Sequence, residues 1–268
     1  MPTFTELDWY DTPRYYDLIF DEDTEVEASF LEAMLERHSA CRRRSRPRVY
    51  EPACGSGRLV EAMARRGYGV TGSDLSRPML DYTRTRLREA GLRAVVAQGD
   101  MSSYVPRGSF ELAHCLVSTF KYLLTEEQAR DHLRSVARAL LPGGIYVLGF
   151  HLTDYARTTR SRERWVARDG ETRVTCTIQG WPADRRRRLE DVRSRLVVER
   201  AGDQWRSETC WKFRTYDARE VRRLLRSVPE LEHVETYDFR YDPEERCEFG
   251  VDQEDTILIL RRRLPEAR

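Results

Sequence analysis

Residues 48–58 read Arg48-Val49-Tyr50-Glu51-Pro52-Ala53-Cys54-Gly55-Ser56-Gly57-Arg58. Val49 to Ala53 has the β-branched and aromatic start of a strand, and it runs directly into a glycine turn. Gly55 and Gly57 carry no Cβ, so the backbone there can take positive φ and approach a ligand closely. A bare Gly-x-Gly is weak evidence alone; its weight depends on the chain downstream.

Beyond Arg58 the chain alternates. The pattern predicts a helix over 59–66 ending at Gly67, a strand over 69–73 ending at Asp74, and a helix over 78–90 with a serine cap, a first-turn proline and a stop at Gly91. Strands over 94–97 and 110–116, a helix over 126–141 and a strand over 144–150 continue it, with Pro142-Gly143-Gly144 breaking the long helix. Such alternation implies a doubly wound, mostly parallel sheet. Upstream, Val26, Phe30, Ala33, Met34 and Leu35 lie on one face of a covering helix over 25–38.

After His151 the rhythm changes. Three β-rich stretches, 172–181, 192–200 and 205–216, are joined by the turns Pro182-Ala183-Asp184 and Ala201-Gly202-Asp203, which predicts a small antiparallel sheet inserted into the core. A helix over 218–227 and strands over 231–239 and 256–261 then complete the main sheet as an antiparallel end. The expected organisation is a Rossmann-like α/β core of residues 1–151 and 217–268, with 152–216 forming a lid or a homodimer contact.

Composition limits the alternatives. The 268 residues are 40% hydrophobic and 34% charged with a formal net charge of +1, which suits a soluble globular protein and creates no overall demand for a polyanionic partner. The arginine runs 42–44, 185–188 and 261–263 could contact phosphate, but acids occur throughout the chain and no basic tail is visible, so nucleic-acid binding is disfavoured. No apolar run reaches the roughly 20 residues of a membrane span. The start, MPTFTELDWYD, has no signal-peptide character, and a cytoplasmic address is expected. The six cysteines show no metal or redox spacing, so no metal is expected and free thiols are.

The site is read from three strand tips, because open α/β sheets bind ligands at the carboxyl ends of their strands. Asp74 follows the second strand, 17 positions after Gly57, where a carboxylate can accept from both ribose hydroxyls. Asp100, in Gln98-Gly99-Asp100-Met101 after the third strand, can accept from an adenine amino group while the next backbone N–H meets a ring nitrogen. Each aspartate alone also fits a cap or turn. Their joint placement points to an adenosine-bearing ligand.

With these residues in hand, the chain resembles the class I S-adenosylmethionine-dependent methyltransferases. Glu51 to Arg58 (EPACGSGR), Gly72 to Asp74 (GSD) and Gln98 to Met101 (QGDM) match their successive cofactor motifs, and Leu140-Leu141-Pro142-Gly143-Gly144 is similar to their helix-to-strand break. The resemblance implies S-adenosyl-L-methionine as cofactor, lined by Glu51, Ala53, Gly55, Gly57, Arg58, Asp74, Leu75, Asp100, Met101 and Leu116. Tyr15-Tyr16-Asp17-Leu18-Ile19-Phe20 resembles the N-terminal stretch of the amino-sugar and glycine N-methyltransferase branches, where a tyrosine closes over the methionine end; Tyr16 would take that role. The implied reaction is methyl transfer to an oxygen or nitrogen of a small molecule. Candidate bases are His151, ending the fifth strand of the core, and Lys121, in the loop after the fourth.

Other readings share parts of this pattern. An RNA methyltransferase uses the same sheet, but His114-Cys115-Leu116-Val117-Ser118 lacks the Asn/Asp-Pro-Pro-Tyr motif of enzymes that modify base amines. A nicotinamide dehydrogenase needs a third glycine where Val60 stands, and it leaves Asp100 without a duty. A non-catalytic module on the same fold has no reason to retain Glu51, both glycines and both aspartates together. Bland roles also exist for single residues: His151 as a strand-end hydrogen-bonder, Lys121 as a solvated loop cation, and Cys54 as a small filler of a tight loop.

Overall fold

The structure is a computed structural model and describes residues 3–41, 44–250 and 254–265; Arg42 and Arg43 of the first arginine run lie outside them. In chain order it comprises β1 (Thr5–Glu6), a 3-10 turn at Trp9–Asp11, α1 (Pro13–Phe20), α2 (Thr24–His38), β2 (Arg48–Pro52), α3 (Arg58–Arg65), β3 (Gly69–Asp74), α4 (Arg77–Glu89), β4 (Val95–Gln98) and β5 (Phe110–Cys115). A 3-10 turn at Thr119–Tyr122 leads to α5 (Glu126–Ala139) and β6 (Leu140–His151). Then come β7 (Ser161–Asp169), β8 (Thr172–Gly180), β9 (Leu189–Arg200), β10 (Asp203–Arg214), α6 (Ala218–Arg226), β11 (Leu231–Tyr237) and β12 (Asp255–Arg262).

Seven strands form the main sheet in the order β11-β12-β6-β5-β2-β3-β4. It is parallel except for β12, which runs antiparallel to both β6 and β11. Successive side chains on a strand point to opposite faces, and here both faces are apolar. Val49, Leu112, Val147 and Ile259 belong to the core that includes α2 and α3, while Tyr50, Ala113, Tyr146 and Leu258 belong to the core that includes α5 and α6. Layers of helix on both faces keep the parallel strands dry.

Helix starts follow the sequence cues. The Ser76 hydroxyl accepts from Met79 N ahead of α4, and capping boxes built by Thr125 with Gln128 and by Asp217 with Glu220 open α5 and α6. One boundary differs from expectation: α5 stops at Ala139, and Leu140 already pairs with Phe110 in the sheet. Gly143, at φ 79°, lets the segment before Ile145 bulge toward the chain end of α2; its carbonyl accepts from Ala40 N at 2.8 Å, and a Cβ there would meet the Ala40 carbonyl carbon at 2.8 Å. The break at Pro142-Gly143-Gly144 is thus a bulge inside a strand.

A second sheet, in the order β1-β10-β9-β8-β7, is an antiparallel meander of four strands with β1 added in parallel at one edge. Sequence reading anticipated three stretches and missed β7, whose Ser161-Arg162-Glu163-Arg164-Trp165 run hides a strand under charge. Arg162 and Arg164 face outward on this edge, a charged rim of the kind that discourages edge pairing. The inner face, with Val174, Cys176, Leu196 and Val198, packs on Trp9 and Ile19 of the N-terminal segment. The N-terminal segment therefore packs on the second sheet. Among the described residues no helix is long and apolar enough to cross a membrane.

Candidate active site

The tips of β2, β3 and β4 meet through hydrogen bonds. Gly55 N donates to Asp74 Oδ2 at 2.8 Å, Ser76 N donates to Asp74 Oδ1 at 2.8 Å, and Gly99 N donates to the Asp74 carbonyl at 3.0 Å. The glycine turn, Asp74 and Asp100 are consequently neighbours. A carboxylate offers about four lone-pair sites, so Asp74 retains acceptor capacity after orienting the turn. Asp100 accepts from Ser102 N at 2.8 Å, a turn role that likewise leaves capacity.

The two glycines have different duties. A Cβ on Gly55 (φ 53°) would meet nothing within 4 Å, so this position faces open space, as a ligand contact requires. On Gly57 (φ 75°) it would strike Thr83 Cγ2 at 2.3 Å. Gly55 is set by its positive φ and leaves open space, whereas Gly57 is demanded by the seating of α4 on the turn. Cys54 is a filler: it is buried, its Sγ would contact a Cβ on Gly72 at 2.9 Å, and burial pushes its thiol well above the ordinary range.

Other assigned residues are placed unevenly. Met101 is buried in the core, and its carbonyl meets His132 Nδ1 at 2.9 Å. Leu75 is 62% exposed beside Asp74. Arg58 turns inward: it pairs with Glu27 and donates to Thr24 Oγ1 at 3.2 Å, which makes it a partner of α2. Asp17 was missed in the sequence. It accepts from Ser56 Oγ at 2.7 Å and from Tyr82 at 3.2 Å and pairs with Arg86, clamping α1 over the glycine turn.

Two cavities meet here. The smaller, about 50 Å³, is lined by Glu51, Ala53, Gly55, Arg58 and Leu116; the larger, about 330 Å³, lies between the main sheet and the inner face of the second sheet. Tyr16, Phe20, Val117 and Thr119 line both. At this junction Val117 and Ser118 have φ of 55° and 62°, and Ala53 on the opposite strand tip has 55°. Positive φ is costly for a β-branched residue, and such strain concentrates at functional sites. Ser118 Oγ accepts from His151 N at 3.2 Å, which helps hold the turn.

The larger cavity is aromatic and acidic. Trp9, Tyr10, Tyr16, Trp165 and Trp211 contribute rings, and the Tyr10 and Tyr122 hydroxyls meet at 2.8 Å. His151 lines it with Nδ1 2.7 Å from Asp255 Oδ1. With the proton on Nδ1, this bond orients the ring and leaves Nε2 as an acceptor. Lys121 is not a solvated cation: its side chain is 5% exposed, its Nζ lies 2.7 Å from Glu190 Oε1, and it sits 5.2 Å from the centre of the Phe213 ring. An ammonium only donates, so within this pair Glu190 is the group able to accept a proton, and Lys121 is its electrostatic partner. Glu190 and Asp255 had no signal in the sequence, since β9 and β12 bring them in from distant chain positions. Among the described residues no cluster of metal-binding side chains occurs.

Comparison with known proteins bears on the domain and the fold. Residues 49–144 match the profile of a methyltransferase domain. A Streptomyces venezuelae protein, dTDP-3-amino-3,4,6-trideoxy-alpha-D-glucopyranose N,N-dimethyltransferase, is 32% identical over 100 residues, 37% of this chain and 40% of its own. The first curated relatives are matched over 56% and 42% of their length. Among solved structures, Streptomyces venezuelae DesVI has a TM-score of 0.76 at 18% identity, covering 96% of this chain and 99% of its own. CalS10, an amino pentose methyltransferase from Micromonospora echinaspora solved with S-adenosylmethionine bound, has a TM-score of 0.67 at 16% identity, covering 98% and 100%. Residues 49–144 thus match a methyltransferase domain, and the chain has the Rossmann-like fold seen in solved S-adenosylmethionine-dependent methyltransferases.

Proposed function

We propose that this chain transfers a methyl group from S-adenosylmethionine to a small-molecule amine. The observation that carries the reading is the adjacency of the two cavities: a cradle at the tips of β2 and β5 shares Tyr16, Phe20, Val117 and Thr119 with a chamber large enough for a small acceptor. The open space at Gly55 and the remaining acceptor capacity of Asp74 and Asp100 suit an adenosine. Glu51, Leu116 and Tyr16 line the smaller cavity, and in this reading Glu51 receives the cationic methionine end. Bound cofactor supplies an electrophilic methyl on a sulfonium, so the protein's task is alignment and proton removal.

An amine is favoured by charge. Among the described residues, Asp154, Glu163, Glu190, Glu254 and Asp255 line the chamber against only Lys121 and Arg157 as permanent cations. Glu163 has no cation partner among the described residues. Aromatic faces such as those of Trp165 and Trp211 also attract ammonium groups. His151 Nε2, oriented by Asp255, accepts the proton that the amine must lose, and residues 152–216 cover the chamber as a lid. Incubating the protein with methyl-labelled cofactor and paired acceptors, amines against the matching alcohols, tests this: label should pass to the amines. Transfer to alcohols alone, or to RNA, would replace the amine reading.

A further inference from the structure

Beneath the smaller cavity the fold leaves several polar atoms without partners. Both ring nitrogens of His114 and Oε2 of Glu51 are buried and have no hydrogen-bond partner among the described residues. Ala113 pairs with Tyr50 in the parallel β5–β2 ladder, so His114 and Glu51 stand side by side on one face, with His114 Nδ1 4.0 Å from Glu51 Oε1. Orphaned buried polar groups cost free energy, and three on two neighbouring side chains require a physical reason.

The surrounding charges supply it. Arg58 from α3 faces the pair, but it is already matched by Glu27 of α2, which also accepts from the Tyr241 hydroxyl at 3.0 Å. Asp74 from β3 is the remaining charged neighbour. An ionised Glu51 is therefore a surplus negative charge in a buried site until a positive ligand arrives.

We propose that His114 is a positioning residue that fixes the Glu51 carboxylate for the ammonium of the cofactor's methionine end, and that filling the cradle releases one proton from Glu51 to solvent. The inference rests on the methyl-donor reading of the cradle. On release the O–H bond of Glu51 breaks and its electron pair stays on the carboxylate. One oxygen then accepts from the ligand ammonium, and the other accepts from Nδ1–H of neutral His114. Burial agrees with both protonation states: it raises the Glu51 carboxyl well above its usual range, with Arg58 opposing and Glu27 and Asp74 reinforcing, and it lowers His114 to about 3, with Arg58 adding to the effect.

Calorimetry on the whole protein between pH 6 and 8, in buffers of different ionisation enthalpy, tests this with two ligands. S-adenosylhomocysteine carries the ammonium, which stays charged across this range; 5′-methylthioadenosine lacks the amino-acid end. The homocysteine ligand should release a proton and bind tighter as the pH rises, by up to about tenfold per pH unit, while methylthioadenosine should do neither. Replacing His114→Leu should weaken the homocysteine ligand about tenfold and move its pH profile upward, His114→Gln should restore most of the affinity, and Glu51→Gln should abolish proton release. An unchanged profile in His114→Leu, or no proton release by the parent protein while methylthioadenosine binds, overturns the proposal. If His114→Leu does not fold, Glu51→Gln decides: lost release supports the coupling and retained release overturns it. Binding of neither nucleoside instead removes the donor reading, and this inference falls with it.

Discussion

Gly55 N donates to Asp74 Oδ2 across 2.8 Å, tying the turn after β2 to the tip of β3. The same carboxylate that would receive a ribose also shapes the backbone against which the rest of the ligand would lie. Asp74→Ala removes both functions, and hydrogen bonds to a charged group contribute about 1.5–3 kcal/mol each. Cofactor affinity should fall about 100-fold by calorimetry, and Asp74→Asn, which keeps one acceptor, should fall less. Equal affinity in all three proteins would remove Asp74 from the cradle.

His151 and Asp255 should separate chemistry from binding. His151→Ala is expected to lower kcat about 100-fold, within the usual range for loss of a general base, and to leave cofactor affinity unchanged. Asp255→Asn should give a smaller loss, because it disturbs the orientation of the ring and leaves the ring in place. An unaltered turnover for His151→Ala would take it out of the mechanism and leave Glu190 as the acid group best placed to accept a proton.

Lys121 and Glu190 form a largely buried ion pair, with side chains 5% and 19% exposed. Removing one partner strands a charge, which costs about 3 kcal/mol, whereas removing both costs less. Glu190→Gln and Lys121→Met should each be destabilised in urea unfolding, and the double variant should recover part of the loss. Additive losses would mean that the two side chains do not act as a pair.

His132 sets an acid limit on stability. Its Nδ1 faces the Met101 carbonyl at 2.9 Å and its Nε2 faces the Tyr146 hydroxyl at 2.6 Å, an arrangement for a neutral ring, and burial lowers it to about 4. The unfolded chain, with histidine near 6.5, binds the proton first as pH falls. The contribution is therefore complete above about 6.5 and lost progressively toward 4, by at most about 1.4 kcal/mol per pH unit. Buried carboxyls such as Glu51 act in the opposite sense, so the comparison must be made with His132→Gln: between pH 7 and 5 the parent should lose more unfolding free energy than the variant. Parallel losses would contradict a neutral, buried His132.

The main sheet was readable because its signals are local. A glycine turn, two strand-end aspartates and helix stops at Gly67 and Gly91 lie within about 50 residues of one another in sequence, and each constrains the next. The chamber was much less readable, because it is assembled by tertiary packing. Trp9 stacks near Trp211 at 4.9 Å between ring centres, Asp255 reaches His151 across an antiparallel pairing, and Glu190 meets Lys121 from another sheet. β7 escaped notice because Arg162 and Arg164 on its solvent face obscure an alternation carried by Trp165 and Ala167 on the other. For Gly57 the need for glycine was legible, but its cause was not: Thr83 lies 26 positions away, and only the fold brings it under the turn.

The most direct test of the donor site is calorimetric titration of the whole protein with S-adenosylmethionine and, separately, with NAD. Saturable one-to-one binding of S-adenosylmethionine with no NAD signal is the expected result. Tight NAD binding without any response to S-adenosylmethionine would contradict the assignment of the cradle formed by Glu51, Gly55, Asp74 and Asp100.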